Sequence, residues 1–124
     1  MLISKGPKPI VSVIMACYNA ESYVHDSIES VKSQSFGDFE LIIVDDASTD
    51  NSWKIIKSYT KKDSRIIAIK NKINLGVSLT SNIAISQAKG KFLARMDADD
   101  ISTSNRLSKQ VDFLKKNPKT IVVG

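Results

Sequence analysis

Among 124 residues there is one cysteine, Cys17, so the chain can form no internal disulfide and fits a reducing compartment; a cytoplasmic setting is expected. Glycine is scarce as well. The five glycines stand at positions 6, 37, 76, 90 and 124 and build neither G-x-G-x-x-G nor G-x-x-x-x-G-K-[ST], which disfavours a dinucleotide dehydrogenase and a P-loop ATPase. No apolar run approaches the ~18 residues of a membrane span. The longest, Val13 to Cys17 and Leu41 to Val44, have the length of strands. Residues 1–9 carry Lys5 and Lys8 but no apolar signal-peptide core and read as a loose leader. The lone His25 has no His or Cys near it in sequence and reads as a surface or boundary residue, not a metal ligand. Cys17 likewise has no paired histidine to activate its thiol and reads as a packing residue at a strand end.

What remains is an ordinary globular composition, 42% hydrophobic and 25% charged, sufficient for one domain with a buried core. The net charge is +5, yet six of the thirteen acids fall into two tight groups, Asp45, Asp46, Asp50 and Asp97, Asp99, Asp100. The rest of the surface is correspondingly basic. Lys54, Lys57, Lys61, Lys62, Lys115 and Lys116 belong to a solvated helix face or attract an anionic membrane or a phosphate-bearing substrate. They lack aromatic interleaving and any nucleic-acid motif, so nucleic acid is not an expected partner.

Strand-like runs alternate with helix-period segments along the whole chain, the pattern of a mostly parallel sheet flanked by helices. Five strands are predicted, at Ile10–Cys17, Phe39–Val44, Arg65–Lys70, Lys91–Met96 and Thr120–Val123. Between them, Val24, Ile28 and Val31, then Trp53, Ile56 and Thr60 after the candidate cap Asp50, then Leu107, Val111 and Leu114 mark apolar helix stripes. A further helix, about Val77 to Ala88, carries Leu79, Ile83 and Ala84 and is stopped by Gly90, a residue suited to a left-handed cap. Asn117 and Pro118 end the last helix. Because the chain ends directly after a strand-like run, a protein cut short at the carboxyl end is expected.

In an open parallel sheet, ligands bind beyond the carboxyl ends of the strands. That edge receives Tyr18 and Asn19, then Asp45 and Asp46 with Ser48, Thr49 and Asp50, then Asn74 and Gly76, and finally Asp97 to Asp100. The opposite edge offers only turn residues such as Gly37 and Asp38. Carboxylates ~6 Å apart repel by roughly 0.7 kcal/mol in water and roughly 3 kcal/mol at a protein surface, so three together favour a cation. Asp97 and Asp99 leave an extended backbone on the same side and offer hard oxygen ligands suited to Mg²⁺ or Mn²⁺. A solvated turn is the alternative for this acidic run, helix capping for one of Ser48, Thr49 and Asp50, and a plain turn for Asn74 and Gly76.

The segments Val11 to Glu21, Phe39 to Asp50, Asn74-Leu75-Gly76 and Ala94 to Asp100 together resemble the ordered motifs of family 2 glycosyltransferases, over about Pro9 to Gly124. The resemblance implies a GT-A fold, a Rossmann-like α/β half that holds a nucleotide sugar with a D-x-D motif and a divalent cation. It implies that Tyr18 lies against the base, that Asp46 hydrogen-bonds the base edge, as for a uracil, and that Asp45 supports it. Ala16, Asn74, Gly76 and Ala98 join the donor site on the same ground. Asp97 would face the ribose and sugar while Asp99 ligates Mn²⁺ or Mg²⁺ and Asp100 binds or orients nearby groups. Ala16 stands where proline or threonine is common in the family, and Ser104 where a proline often follows the acidic motif.

The family's catalytic base lies well downstream of D-x-D, so residues 10–124 are expected to be the nucleotide-sugar-binding part, without base or acceptor site. The activity implied is inverting transfer of a hexosyl or N-acetylhexosaminyl group from a UDP-sugar to a saccharide or lipid-linked acceptor, with peripheral membrane association of the full-length protein. A non-catalytic nucleotide- or anion-binding module is the rival reading. A receiver-like phosphoryl-transfer domain, with Mg²⁺ at Asp45 and Asp46, leaves Asp97 to Asp100 unexplained.

Overall fold

The computed structural model describes residues 8–123, in which strands and helices alternate. The order is β1 (Val11–Cys17), α1 (Val24–Lys32), β2 (Phe39–Asp45), α2 (Ser52–Lys62), β3 (Ile66–Lys70), α3 (Val77–Gln87), β4 (Phe92–Arg95) and α4 (Arg106–Lys116). All pairings are parallel and the spatial order is β3-β2-β1-β4. The chain thus winds outward from β1 to β3 and then returns to the far side of β1, which makes the β1/β4 boundary the topological switch point where such sheets bind ligands.

Period-two alternation divides the strands between two cores. Val11, Val13, Met15 and Cys17 face the larger one, shared with Ile28 of α1, Ile56 and Tyr59 of α2 and Leu107 and Val111 of α4. Ile14, Ile42 and Val44 face the smaller one, against Ala84 of α3. Every β2 residue is buried, as a central strand covered on both faces requires. The stripe predicted for α1 is confirmed by burial of Val24, Ile28 and Val31; α4 buries Leu107 and Val111 and leaves Leu114 half-exposed, and α2 buries Tyr59 and Ile56 and leaves Trp53 and Thr60 half-exposed. The Lys57 and Lys62 ammonium groups lie over the Trp53 and Tyr59 rings, 5.9 and 5.1 Å from their centroids, so part of the basic surface is engaged with aromatic faces.

Three expectations are corrected. The fifth strand does not form: residues 121–123 join no ladder, and Ile121 and Val122 are 92% and 82% exposed. A β-branched run becomes a strand only where a neighbour supplies hydrogen bonds, and among the described residues β4 pairs with β1 alone. In α3, Ala84 is buried and Ile83 packs against the same core as expected, but Leu79 is exposed and Thr80, one position on, is buried in its place. Gly90 is not a left-handed cap, because α3 ends at Gln87 with Ala88 extended. The leader predicted for residues 1–9 falls outside the described residues except for Lys8 and Pro9.

Gly90 serves close approach instead. A Cβ there would lie 2.5 Å from the Ser12 backbone nitrogen and 2.8 Å from the Val11 carbonyl carbon. The contact belongs to a buried polar knot at the amino edge of the sheet. The Ser12 hydroxyl donates to Glu40 (2.6 Å), the Lys89 N–H donates to the same carboxylate (2.7 Å), and the Gly90 N–H donates to the Ser12 oxygen (2.8 Å). Gly90→Ala is therefore expected to cost about 1–3 kcal/mol through forced backbone movement, read as a lower urea midpoint at unchanged slope.

Candidate functional site

Parallel strands deliver every loop that carries a candidate residue to one edge. The β1 and β2 loops are stitched together there. Asp45, fully buried, accepts both the Ser48 N–H (3.0 Å) and the Ser48 hydroxyl (2.6 Å), and Ser48 Oγ accepts the Asn19 N–H (2.9 Å). Asn19 Oδ1 in turn accepts the Thr49 N–H at 2.8 Å. The tight geometry puts Asn19 and Ala47 at φ 46° and 58°, in the left-handed region. Of the three capping candidates, Asp50 does the capping by accepting the Ser52 N–H (2.8 Å), while Ser48 and Thr49 hold the β1 loop.

Asp46 is 3% exposed and ties the β2 end to the β3–α3 loop. Its carboxylate accepts the Leu75 N–H (2.7 Å), the Gly76 N–H (2.9 Å) and the Asn71 side-chain amide (3.0 Å). Burial alone would push its pKa up; the Leu75 N–H, the Asn71 amide and the Gly76 N–H overcome that penalty and hold the carboxyl below its ordinary value. Asn71 also donates to Thr80 Oγ1 (3.1 Å), which locks this acid to the first turn of α3. Gly76 precedes that helix at φ 90°, a conformation that glycine adopts without strain. Asn74 is exposed and donates to the Asp46 carbonyl at 3.3 Å.

After β4 the acidic run turns back on itself, with the Asp100 N–H donating to the Asp97 carbonyl at 3.1 Å. One carboxylate oxygen from each of Asp97, Asp99 and Asp100 falls within 4.8 Å of the others, and all three residues are exposed. Three convergent hard oxygens match Mg²⁺ or Mn²⁺ in ligand chemistry. Ala98 between them is buried in the larger core. The loop is held by residues the sequence reading passed over. Buried Ser27 donates to the Asp97 carbonyl (3.1 Å), Ser30 Oγ accepts the Ser102 N–H (3.0 Å), and Gln34 bridges the Thr103 carbonyl (2.7 Å) and the Leu107 N–H (3.1 Å). Their spacing of three and four, over α1 and the turn that follows it, is a polar pattern that sequence could have shown. From α4, Arg106 donates to the Arg95 carbonyl (3.0 Å) and the Ser102 hydroxyl (3.3 Å).

Two adjoining hollows connect these loops. One, of about 280 Å³, lies between Tyr18, Asp46, Asn74 and Gly76. The other, of about 470 Å³, runs from Tyr18 and Tyr23 to Arg95, Asp97 and Asp99. They share Ala16, Tyr18 and Val77, with the Tyr18 ring 51% exposed between them. A larger hollow of about 750 Å³ at the opposite edge, around Asp38 and Arg65, contains none of the candidate residues. His25 is exposed, with Nδ1 2.6 Å from the Tyr59 hydroxyl, and lines neither hollow; burial pushes the Cys17 thiol up to about 11, which keeps it protonated near neutral pH.

Among known proteins, the putative glycosyltransferase EpsE of Bacillus subtilis is 47% identical over 98% of this chain, which spans 44% of that protein. The Escherichia coli UDP-Glc:alpha-D-GlcNAc-diphosphoundecaprenol beta-1,3-glucosyltransferase WfaP is 41% identical over 86% of this chain and 41% of its own length. The chain thus spans less than half of these relatives. Among solved structures, S. aureus TarS in complex with UDP superposes with a TM-score of 0.79 at 31% identity, over 86% of this chain and 32% of TarS. The mannosyltransferase PcManGT of Pyrobaculum calidifontis, in complex with GDP-Man and Mn2+, superposes at 0.79 with 22% identity and shares the fold. The parallel sheet flanked by helices is the GT-A, Rossmann-like arrangement of these neighbours. Residues 12–124 match the family described as Glycosyl transferase family 2, and the chain belongs to that family.

Proposed function

We propose that residues 10–124 are the donor-binding part of an inverting glycosyltransferase that takes a hexosyl or N-acetylhexosaminyl group from a UDP-sugar to a hydroxyl of a saccharide or lipid-linked acceptor. The observation that carries this reading is the pair of hollows joined at Tyr18, with a hydrogen-bonded acid at one end and three convergent carboxylates at the other. The base enters the smaller hollow against the Tyr18 ring. Asp46 there has three of roughly four carboxylate acceptor positions filled by protein N–H groups, and we assign the fourth to the uracil N3–H. Asp45 acts through the loop it holds. Asn74, Gly76, Ala16 and Ala98 shape the walls and floor.

Asp99 leads the cation-binding set. Asp97 and Asp100 share hydrogen bonds with each other's backbone, and Asp97 also faces Arg95, which leaves Asp99 alone of the three without a side-chain partner among the described residues. A divalent cation held there supplies charge neutralisation of the departing nucleoside diphosphate. The chain's own share is to orient the donor across the switch point; proton abstraction from the acceptor is assigned to none of these residues. The diphosphoundecaprenol acceptor named for WfaP is consistent with work at the inner face of a membrane, and among the described residues no helix is long and apolar enough to cross one.

Calorimetric titration of UDP in Mn²⁺, repeated in EDTA and with GDP and ATP, tests the assignment. Binding that favours UDP and requires Mn²⁺ is expected. Equal affinity for all three nucleotides, or indifference to EDTA, would sink it.

A further inference from the structure

A diphosphate beside three carboxylates poses a charge problem that one divalent cation does not solve. Three aspartates and a diphosphate together carry at least five negative charges against two positive ones, and like charges at these separations each cost on the order of 1–3 kcal/mol at a protein surface. Among the described residues a single cationic side chain lines either hollow, that of Arg95. It lies on β4 opposite Ile14, two residues before the first aspartate. The Arg106 guanidinium pins its backbone carbonyl at 3.0 Å. Its side chain is by contrast 64% exposed, and among the described residues its one ion pair is with Asp97, Nη2 to Oδ1 at 3.8 Å. That distance is well beyond the ~2.7–2.9 Å of a charge-assisted hydrogen bond, and exposed pairs of this kind are weak and exchange readily.

We propose that Arg95 is a donor-binding residue with two alternative partners: Asp97 in the free protein and the diphosphate of the donor in the complex. The planar guanidinium suits two phosphate oxygens at once, which a lysine ammonium does not match. Transfer of the guanidinium from Asp97 to the diphosphate frees a carboxylate oxygen for the cation at the moment the donor arrives. This rests on the donor-site reading above and deepens it by naming the residue that makes cation and donor binding mutually supportive.

The consequence is a pair of effects with opposite signs. Without nucleotide, Arg95 competes with the cation for Asp97, so Arg95→Gln should bind Mn²⁺ alone about threefold to tenfold more tightly. With Mn²⁺ saturating, the same variant should bind UDP about tenfold more weakly while UMP, which lacks the second phosphate, loses less. Arg95→Lys should recover the Mn²⁺ affinity of the native chain but only part of the UDP affinity. Lys91→Gln, one residue before β4 and outside both hollows, controls for net charge and should leave all three affinities unchanged.

The test is calorimetry of Mn²⁺, UDP and UMP with the whole chain and these variants. A parallel fall in Mn²⁺, UDP and UMP affinity in Arg95→Gln would show that Arg95 merely supports the loop and would overturn the proposal, as would no change in any of them. Failure of the native chain to bind UDP in Mn²⁺ would remove the donor-site reading and this assignment together. Native binding with an unaffected variant would remove only the role of Arg95.

Discussion

Asp99→Asn should lose Mn²⁺-dependent nucleotide binding, by roughly a hundredfold or more, while the folded chain becomes no less stable. The size follows from its place in the cluster. Altering groups that merely orient metal ligands costs about 10–100-fold, and Asp99 is proposed as a ligand itself. The stability half of the expectation follows from exposure and repulsion. Asp99 is exposed, stands within 4.8 Å of two other carboxylate oxygens, and among the described residues its side chain holds no hydrogen-bond partner. Removing one of three like charges relieves repulsion of order 1 kcal/mol. Thermal unfolding with and without Mn²⁺ separates the two effects. A cation at a hundred times its dissociation constant stabilises the native chain by about 2.7 kcal/mol, and the variant should show no such rise. If Mn²⁺ still raises the melting temperature of Asp99→Asn as it does the native chain, the cation is held elsewhere.

The sequence made the fold and the edge that carries the site legible for a common reason: both depend on short-range patterns. Four of five strands form at short apolar, β-branched runs and the four helices at the 3.6-period segments between them, the stripes of α2 and α3 only in part, and parallel pairing then gathers the strands' carboxyl ends whatever the details. The errors arose where a residue's role depends on a partner distant in sequence. Residues 121–123 have strand composition but lack a ladder partner. Gly90 looked like a helix stop, but what it answers to is Ser12, 78 residues away. The candidate acids were visible as polar residues at strand ends; what holds them was not. Ser27, Asn71, Thr80 and Arg106 are unremarkable by type, and only the folded chain brings their donors and acceptors against the acidic loops. Asp46 shows the limit most clearly. Its neighbour Asp45 shares its chemistry and burial, yet one closes a local turn through Ser48 and the other reaches some thirty residues along the chain to Leu75 and Gly76.

That reach makes Asp46 the acid whose loss should cost the fold most. Asp46→Ala leaves the Leu75 N–H, the Gly76 N–H and the Asn71 amide without their acceptor in a site where the native side chain is 3% exposed. Each buried donor left unsatisfied costs about 1–3 kcal/mol, and water entering the space returns part of it, so a net loss of about 3–5 kcal/mol is expected. Asp46→Asn should fall between, because its amide oxygen still accepts while its NH₂ group is turned toward a backbone donor. The pH dependence separates a lost charge from a lost shape. Since the folded pKa lies below the unfolded one, the native carboxylate contributes stability that is fully present above the unfolded value, near 3.9, and is lost as pH falls through the folded value. Urea unfolding followed from neutral to acid should therefore show a gap between native chain and Asp46→Asn that is constant near pH 7 and narrows below about pH 4. A gap that stays constant through the acid range would mean that the side chain fills space there and that its charge does not hold the loop. The same variant should bind UDP more weakly, because the loop that brings Asn74 and Gly76 to the hollow with Tyr18 loses its anchor along with the acceptor assigned to the base.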